Sequence, residues 1–183
     1  MPEDDEKTVR QLLAKDEIRD LVFRYSDAIR NRDIELLTDL YSPNASFGNM
    51  GVGETALRAM SEATLANLQF AVILVANHLI TFVNEKEAEG EVWARCYAQN
   101  TQEGYYEQLI KYVDQYELVD SADGLGASWK FKHRRHYLWF GQSKDSPLTL
   151  PSASWPDNNV GLGREPLSDE SVQDLRKQID EVS

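Results

Sequence analysis

Leu12, Leu13, Ile18, Leu21, Val22, Tyr25 and Ile29 recur at the three-to-four residue spacing of one helix face, which predicts a long amphipathic helix. The polar, acidic residues 1–8 before it are expected to fray. The pattern breaks at "RNRD", where Asp33 is placed to cap a second, short helix carrying Leu36, Leu37, Leu40 and Tyr41. Pro43 ends that helix, because the residue before a proline is driven out of the helical region. "NASFGNMGVG" reads as a short strand and a glycine-rich turn, and "ETALRAMSEATLANL" as a third helix. The period then drops to two. Strands are predicted over roughly Ala71–Asn84, Glu91–Thr101, Leu109–Val119 and Ser128–Phe140, linked by "EKEAEG", a turn around Glu103–Gly104, and "DSADGLGA". From Gly141 to Pro166 the chain reads as irregular, after which Ser168 caps a last helix, about 168–182, bearing Val172, Leu175 and Ile179.

Helices followed by consecutive strands with short links predict an α+β fold, a strongly curved antiparallel sheet wrapped around the N-terminal helices. Such a sheet makes a cone, and its open end is a natural small-molecule site. The division expected is an N-terminus over 1–8, one domain over 9–140, and a C-terminal extension over 141–183.

Composition narrows the function classes. At 183 residues, with 42% hydrophobic and 27% charged, the chain reads as one globular domain. The longest apolar run, "FAVILVA" (Phe70–Ala76), is too short for a membrane span, so no membrane partner is expected. The single cysteine, Cys96, leaves no intrachain disulfide, and "MPEDDEKTVR" lacks the basic-then-apolar pattern of a secretory signal, so the expected location is the cytoplasm. A formal net charge of −12 argues against nucleic acid, since phosphate binding needs a basic face.

Three stretches, "IRDLVFRYSDAIRNRDIELLTDLYSPNASF" (Ile18–Phe47), "NHLITFVNEKEAEGEVWARCYA" (Asn77–Ala98) and "YVDQYELVDSADGLGASWKFKHR" (Tyr112–Arg134), resemble the SnoaL-like branch of the nuclear transport factor 2-like superfamily. The resemblance covers about residues 9–140. It implies a cone-shaped α+β barrel of the cystatin-like type. The branch includes polyketide cyclases, scytalone dehydratase, bile acid dehydratase and lindane dehydrochlorinase, which mostly abstract a proton without a cofactor. By the same resemblance His78 matches the family's cavity-facing histidine, Tyr25 the pocket residue of the first helix, and Arg134 a pocket cation of the last strand. Arg30 stands where the dehydratases and the dehydrochlorinase carry the aspartate that pairs with the histidine. An acidic residue used by the bile acid dehydratase falls near Cys96, so this chain departs from the family pattern at both places.

The residues support these assignments to different degrees. Strand alternation puts His78 with Ala76, Ile80 and Phe82 on an inward, apolar face, where it is either a satisfied core histidine or a general base kept neutral by burial. Asp114 shares a face with Ile110, Tyr112, Tyr116 and Leu118, where a lone carboxylate must be paired; it is the substitute partner for His78 or Arg134, or a structural ion pair. Tyr25 projects from the buried helix stripe and its hydroxyl needs a partner inside, substrate or protein. Arg30 either snorkels outward or, pointing inward, holds a carboxylate or an enolate oxygen. Tyr41, Cys96, Tyr112, His136 and Leu138 complete the expected substrate-binding lining.

The run "WKFKHRRHYLWF" (Trp129–Phe140) needs a change of parity if Trp129, Phe131 and Arg134 are all to face inward, and a β-bulge near Lys132–Arg134 would supply it. Arg134, His136 and Leu138 then face the cavity. His133, Arg135, Tyr137 and Trp139 face outward and, with Trp93, Arg95 and Tyr97, form an aromatic and basic surface suited to a homo-oligomer, dimer or trimer. The function expected is a cofactor-independent lyase or isomerase of the dehydratase or cyclase type, acting on a hydrophobic carbonyl-bearing small molecule. His78 takes the proton, Tyr25 and Arg134 stabilise the oxyanion, and Asp114 or Arg30 sets the local charge. No metal set is read from the three histidines. The alternative is a non-catalytic binding or structural subunit with the same fold.

Overall fold

A computed structural model describes residues 3–101, 104–121, 124 and 126–144. The helix expected near 168–182, and the irregular stretch after Lys144, lie outside the described residues.

The helical period of the N-terminal part becomes α1 (Glu3–Asn31), which buries Ile18, Leu21, Val22 and Ala28. Two expectations need correction here. The helix reaches back to Glu3, so the acidic segment expected to fray is helical. Leu12 and Leu13, expected on the buried stripe, are exposed, because at about 100° per residue they stand roughly 120° and 140° around α1 from Ile18, while Gln11 and Ala14 continue the Ile18 face toward an open cleft. The short helix α2 (Ile34–Asp39) begins as expected, the Asp33 carboxylate accepting the Leu36 N–H at 2.8 Å. A bridge between Ser46 and Val52 encloses a 3₁₀ turn at Gly48–Met50, and α3 (Gly53–Leu65) follows. Among the described residues no helix is long and apolar enough to cross a membrane.

The strands β1 (Leu68–Phe82), β2 (Glu87–Asn100), β3 (Gly104–Asp120) and β4 (Ala127–Lys144) form one sheet in the order β1-β2-β3-β4, every neighbouring pair antiparallel. β4 continues beyond Phe140 to Lys144, four residues into the stretch expected to be irregular. Register shifts break the ladders at Leu68/Phe70 and Val75/Asn77 between β1 and β2, and at Leu109/Ile110 and Gln115/Tyr116 between β3 and β4. Each such irregularity bends its strand and increases its twist, which gives the long sheet its curvature.

The helices cover the inner face. Along β2 that face carries Ala88, Val92, Ala94, Cys96 and Ala98, all buried, and the short side chains leave room for the aromatic rings of neighbouring elements. Polar ties hold α1 across the sheet. The Glu17 carboxylate accepts the Trp129 N–H at 2.9 Å, and the Ser26 hydroxyl donates to the Ile73 carbonyl at 2.6 Å. Beyond α2, the Ser42 N–H donates to the Phe131 carbonyl and the Phe131 N–H to the Leu40 carbonyl, both at 2.9 Å, which fastens the helical layer to β4 beside its bulge. Phe131, Leu40, Ile18, Val22, Val92 and Ile110 are among the most deeply buried apolar side chains of the resulting core.

Candidate functional site

Two bulges decide which side chains meet. On β1 the inward residues are Ala71 and Ile73; the shift between Val75 and Asn77 then changes parity, so that His78, Ile80 and Phe82 turn inward while Ala76 is exposed. Ala76 therefore does not share the face of His78, contrary to simple alternation. On β4, Gln115 pairs with His133 and Tyr116 with Phe131, which leaves Lys132 as the extra residue. That is the bulge the sequence required, and it turns Trp129, Phe131 and Arg134 to the same side, with Arg134 paired to Asp114.

Arg134 and Asp114 are the most deeply buried charges described, with side chains 3% and 0% exposed. The contact is a bidentate fork: Nε donates to Oδ1 at 3.0 Å and Nη2 to Oδ2 at 2.9 Å. The guanidinium carbon lies 4.2 Å from the ring centres of Tyr25 and Tyr112 and 4.4 Å from that of Phe131, so aromatic faces enclose the cation where water would otherwise solvate it. Burial opposes the Arg134 charge, but Asp114 outweighs it and holds the guanidinium above its ordinary range.

Among the described residues the pair extends toward β1. The Tyr116 hydroxyl donates to Asp114 Oδ2 at 2.8 Å, and the Tyr116 hydroxyl oxygen itself lies 3.0 Å from His78 Nε2. Arg134, Asp114, Tyr116 and His78 thus form one hydrogen-bonded chain across β4, β3 and β1. Burial lowers the His78 pKa to about 4, with the attraction of Asp114 opposing that shift and the charges of Arg134 and Arg19 adding to it. The imidazole is therefore neutral near pH 7, with a partly buried ring that solvent still reaches.

Burial raises the pKa of Tyr25, and raises Tyr41 and Tyr112 well above the usual phenol range. All three phenols keep their protons and present neutral hydroxyls. Their rings take up the interior around Arg134: Tyr25 lies edge-on to Tyr112 and Phe131 at 5.9 and 6.0 Å, and Tyr41 lies 5.2 Å from Phe131. Cys96 is buried on the same face, its thiol pushed up to about 11 by burial, so it stays protonated.

The structure places the expected site residues unequally. Tyr25, Tyr41, Tyr112, Asp114 and Arg134 form one cluster, and Cys96 shares its inner face. Among the described residues His78 joins it through Tyr116, a residue that sequence reasoning placed on the right face without giving it a role. His136 lies over Tyr112, ring centres 5.4 Å apart, toward the exposed end of β4, and burial followed by the charge of Arg134 lowers its pKa. Leu138 is largely exposed there. Arg30 is outside the cluster. It is exposed at the end of α1 and pairs with Asp27 at 2.8 Å. Ser26 of α1 touches Ile73, five residues before His78, whereas the α1 charge that acts on His78 is Arg19, so α1 runs away from the imidazole on its way to Arg30. The position where the resemblance implies a partner aspartate is therefore held by a side chain paired with Asp27. Two open clefts, of about 260 Å³ on the outer face near Phe140 and about 680 Å³ between the start of α1 and the β1–β2 hairpin, are not lined by His78. Among the described residues no three His, Cys, Asp or Glu side chains group to hold a metal ion.

Known proteins place this arrangement in context. No curated protein matches the chain. Among solved structures, a scytalone dehydratase candidate from Novosphingobium aromaticivorans aligns with 77% of this chain and 97% of its own, at 22% identity and a TM-score of 0.63. The hexachlorocyclohexane dehydrochlorinase LinA-type3 of Novosphingobium barchaimii aligns over 79% and 99%, at 15% identity and a TM-score of 0.66. An NTF2-like protein with a cystatin-like fold, also from Novosphingobium aromaticivorans, aligns over 76% and 90%, at 17% identity and a TM-score of 0.57. At such identities these likenesses establish the fold, helices against a curved antiparallel sheet. The SnoaL-like domain model matches residues 10–135, which contain every member of the Arg134–Asp114–Tyr116–His78 chain, and the protein belongs to the SnoaL-like domain family.

Proposed function

We propose that the protein is a cofactor-independent lyase or isomerase that removes a proton from the carbon next to a carbonyl of a hydrophobic, uncharged small molecule. The observation that supports this reading is a neutral imidazole, His78, joined through a single hydroxyl to a buried carboxylate. His78 accepts the proton and becomes imidazolium, and the electron pair moves onto the carbonyl oxygen as an enolate. The enolate then expels a leaving group from the next carbon, or is reprotonated at another carbon. As the imidazolium forms, the Tyr116–Asp114 arm faces it with negative charge, and Tyr25 offers a neutral phenol donor toward the developing oxygen anion. Arg134 sets the charge of Asp114. It does not bind an anion in this reading, because its fork is already filled by that carboxylate. With Arg30 turned to Asp27, an uncharged substrate suits the site better than an anionic one. The names of the two enzyme-like neighbours describe eliminations, which agrees with the proposed reaction type.

The proposal includes self-association in the cytoplasm. Trp93 and Trp139 meet edge-on at 5.2 Å on the outer face of the sheet, and Trp139 and Phe140 are 63% and 66% exposed. Together with Tyr97 and Tyr137 they form a patch suited to burial against a second copy, as a dimer or a trimer. A second reading, a binding or structural subunit without turnover, is favoured by the low basicity of His78 and by the aromatic rings packed around Arg134.

The test is exchange of carbon-bound hydrogen for deuterium in D₂O across a panel of polycyclic ketones and β-hydroxy ketones, read by mass spectrometry. Exchange or elimination by the wild type that His78→Ala abolishes while remaining folded is the expected result. Equal rates in wild type and His78→Ala reject His78 as the base, and ligand bound with no exchange favours the binding subunit.

A further inference from the structure

The bond between Tyr116 and His78 joins two strands that are not neighbours. β2 lies between them, where His78 on β1 pairs with Val92 and Tyr116 on β3 pairs with Ala88. Between Ala88 and Val92, on the same inner face, stands Gly90, paired with Ile80 on one side and Asp114 on the other. The diagonal from Tyr116 to His78 passes directly over it. A Cβ added at Gly90 would lie 2.7 Å from Tyr116 Cε2, 2.9 Å from its hydroxyl oxygen and 3.0 Å from His78 Nε2. Gly90 is not among the glycines with positive φ, so its backbone does not call for glycine, and glycine within a strand weakens it by roughly 0.5–1 kcal/mol relative to alanine. The space, not the backbone, is what this position provides.

Hydrogen counting then settles the direction of the chain. Asp114 is held as an acceptor by the Arg134 fork, and Tyr116 has one hydroxyl hydrogen, which goes to Oδ2 at 2.8 Å. The Tyr116 oxygen can therefore only accept from His78, and Nε2, at 3.0 Å, must carry the imidazole hydrogen. A neutral imidazole has one N–H, so Nδ1 carries the free lone pair.

We infer that Tyr116 is the positioning residue of this site: its hydroxyl transmits the charge of Asp114 to His78, fixes the Nε2–H tautomer and makes Nδ1 the proton-accepting atom, and Gly90 is the residue that gives it room. The part about catalysis rests on His78 being the base; the tautomer does not. In this chain the carboxylate acts on the histidine from β3 through a phenol, where the usual family position on α1 holds Arg30.

The experiment is ¹⁵N NMR of the histidine side chains in the full chain at pH 7.5, with Tyr116→Phe and Gly90→Ala. Tyr116→Phe deletes the acceptor and keeps the ring. Gly90→Ala keeps both groups and pushes them apart. In the wild type the His78 Nε2 proton is expected to exchange slowly, with Nδ1 unprotonated. In both variants that protection should fall by about tenfold, the weight of one hydrogen bond of ordinary net strength. A His78 protonated at Nδ1 in the wild type, or an Nε2 proton equally protected in Tyr116→Phe, overturns the inference. The wild-type spectrum decides the tautomer even if a variant fails to fold. With any ketone that the wild type turns over, Tyr116→Phe should lower kcat by roughly 10²-fold, part of the 10²–10⁴ typical of a general base, and leave KM nearly unchanged. Loss of activity in His78→Ala with an unchanged His78 spectrum in Tyr116→Phe removes the positioning role and keeps the proposed base. The expected spectra with a fully active His78→Ala do the reverse.

Discussion

Replacing Asp114 with asparagine removes one charge from a pair whose side chains are 3% and 0% exposed, and leaves Arg134 charged in the interior. Breaking a buried ion pair from one side costs about 3–5 kcal/mol, because the remaining ion has lost its water as well as its partner. The Tyr25, Tyr112 and Phe131 faces within 4.4 Å of the guanidinium offset part of that, so the lower end, about 3 kcal/mol, is expected. Asparagine can still accept one hydrogen bond, but the fork needs two acceptors, and Nη1 is already buried without a partner among the described residues. At roughly 2–4 °C per kcal/mol for a domain of this size, the melting temperature should fall by about 6–12 °C. Urea unfolding of Asp114→Asn, Asp114→Leu, Arg134→Met and Asp114→Leu/Arg134→Met completes the measurement. Each single variant should be strongly destabilised, and the double variant should recover most of the loss, since an apolar pair of similar volume leaves no charge uncompensated. An Asp114→Asn protein within about 1 kcal/mol of wild type, or a double variant that loses the sum of the single changes, would refute the picture of a dry, mutually dependent pair.

The His78 pKa of about 4 lies below the ordinary value of 6.5, so between those pH values the unfolded chain binds a proton that the folded one refuses. Stability should therefore fall as pH drops from 6.5 toward 4, by on the order of 1 kcal/mol for this partly exposed group, and an NMR titration of His78 should show its midpoint near 4 and not near 6.5. Any His78-dependent rate should be level through neutrality and fall below about pH 4 to 5, as the base becomes protonated. Arg30→Ala should leave turnover unchanged, because the side chain pairs outward with Asp27; a large loss in kcat would contradict that placement. Trp139→Lys should weaken self-association measured by sedimentation, with little change in melting temperature at low protein concentration, since Trp139 is 63% exposed.

Much of this site was legible in the sequence because its faces are set locally. The period of two along β3 placed Asp114 beside Tyr112 and Tyr116, and all three are buried on the inner face. The conflict between Trp129, Phe131 and Arg134 on β4 required one bulge, and the extra residue is Lys132. The order of helices and strands and the family likeness carried the α+β architecture. Alternation failed on β1, where Ala76 marks a second change of parity in a run, "FAVILVANHL", that is apolar on both sides of the break and so carries no conflict to reveal it. Leu12 and Leu13 misled for a different reason: at about 3.6 residues per turn they fall on the side of α1 away from Ile18, Leu21 and Val22, so their apolar character, not their spacing, put them on the stripe. Only the tertiary structure decided that Asp114 meets Arg134 and Tyr116, that Tyr116 reaches over Gly90 to His78, and that Arg30 stays with Asp27. These pairings join residues on separate segments through the register of β1, β2, β3 and β4. Register is fixed by the packing of whole faces against the helices, whereas the alternation read from sequence is a property of each strand alone.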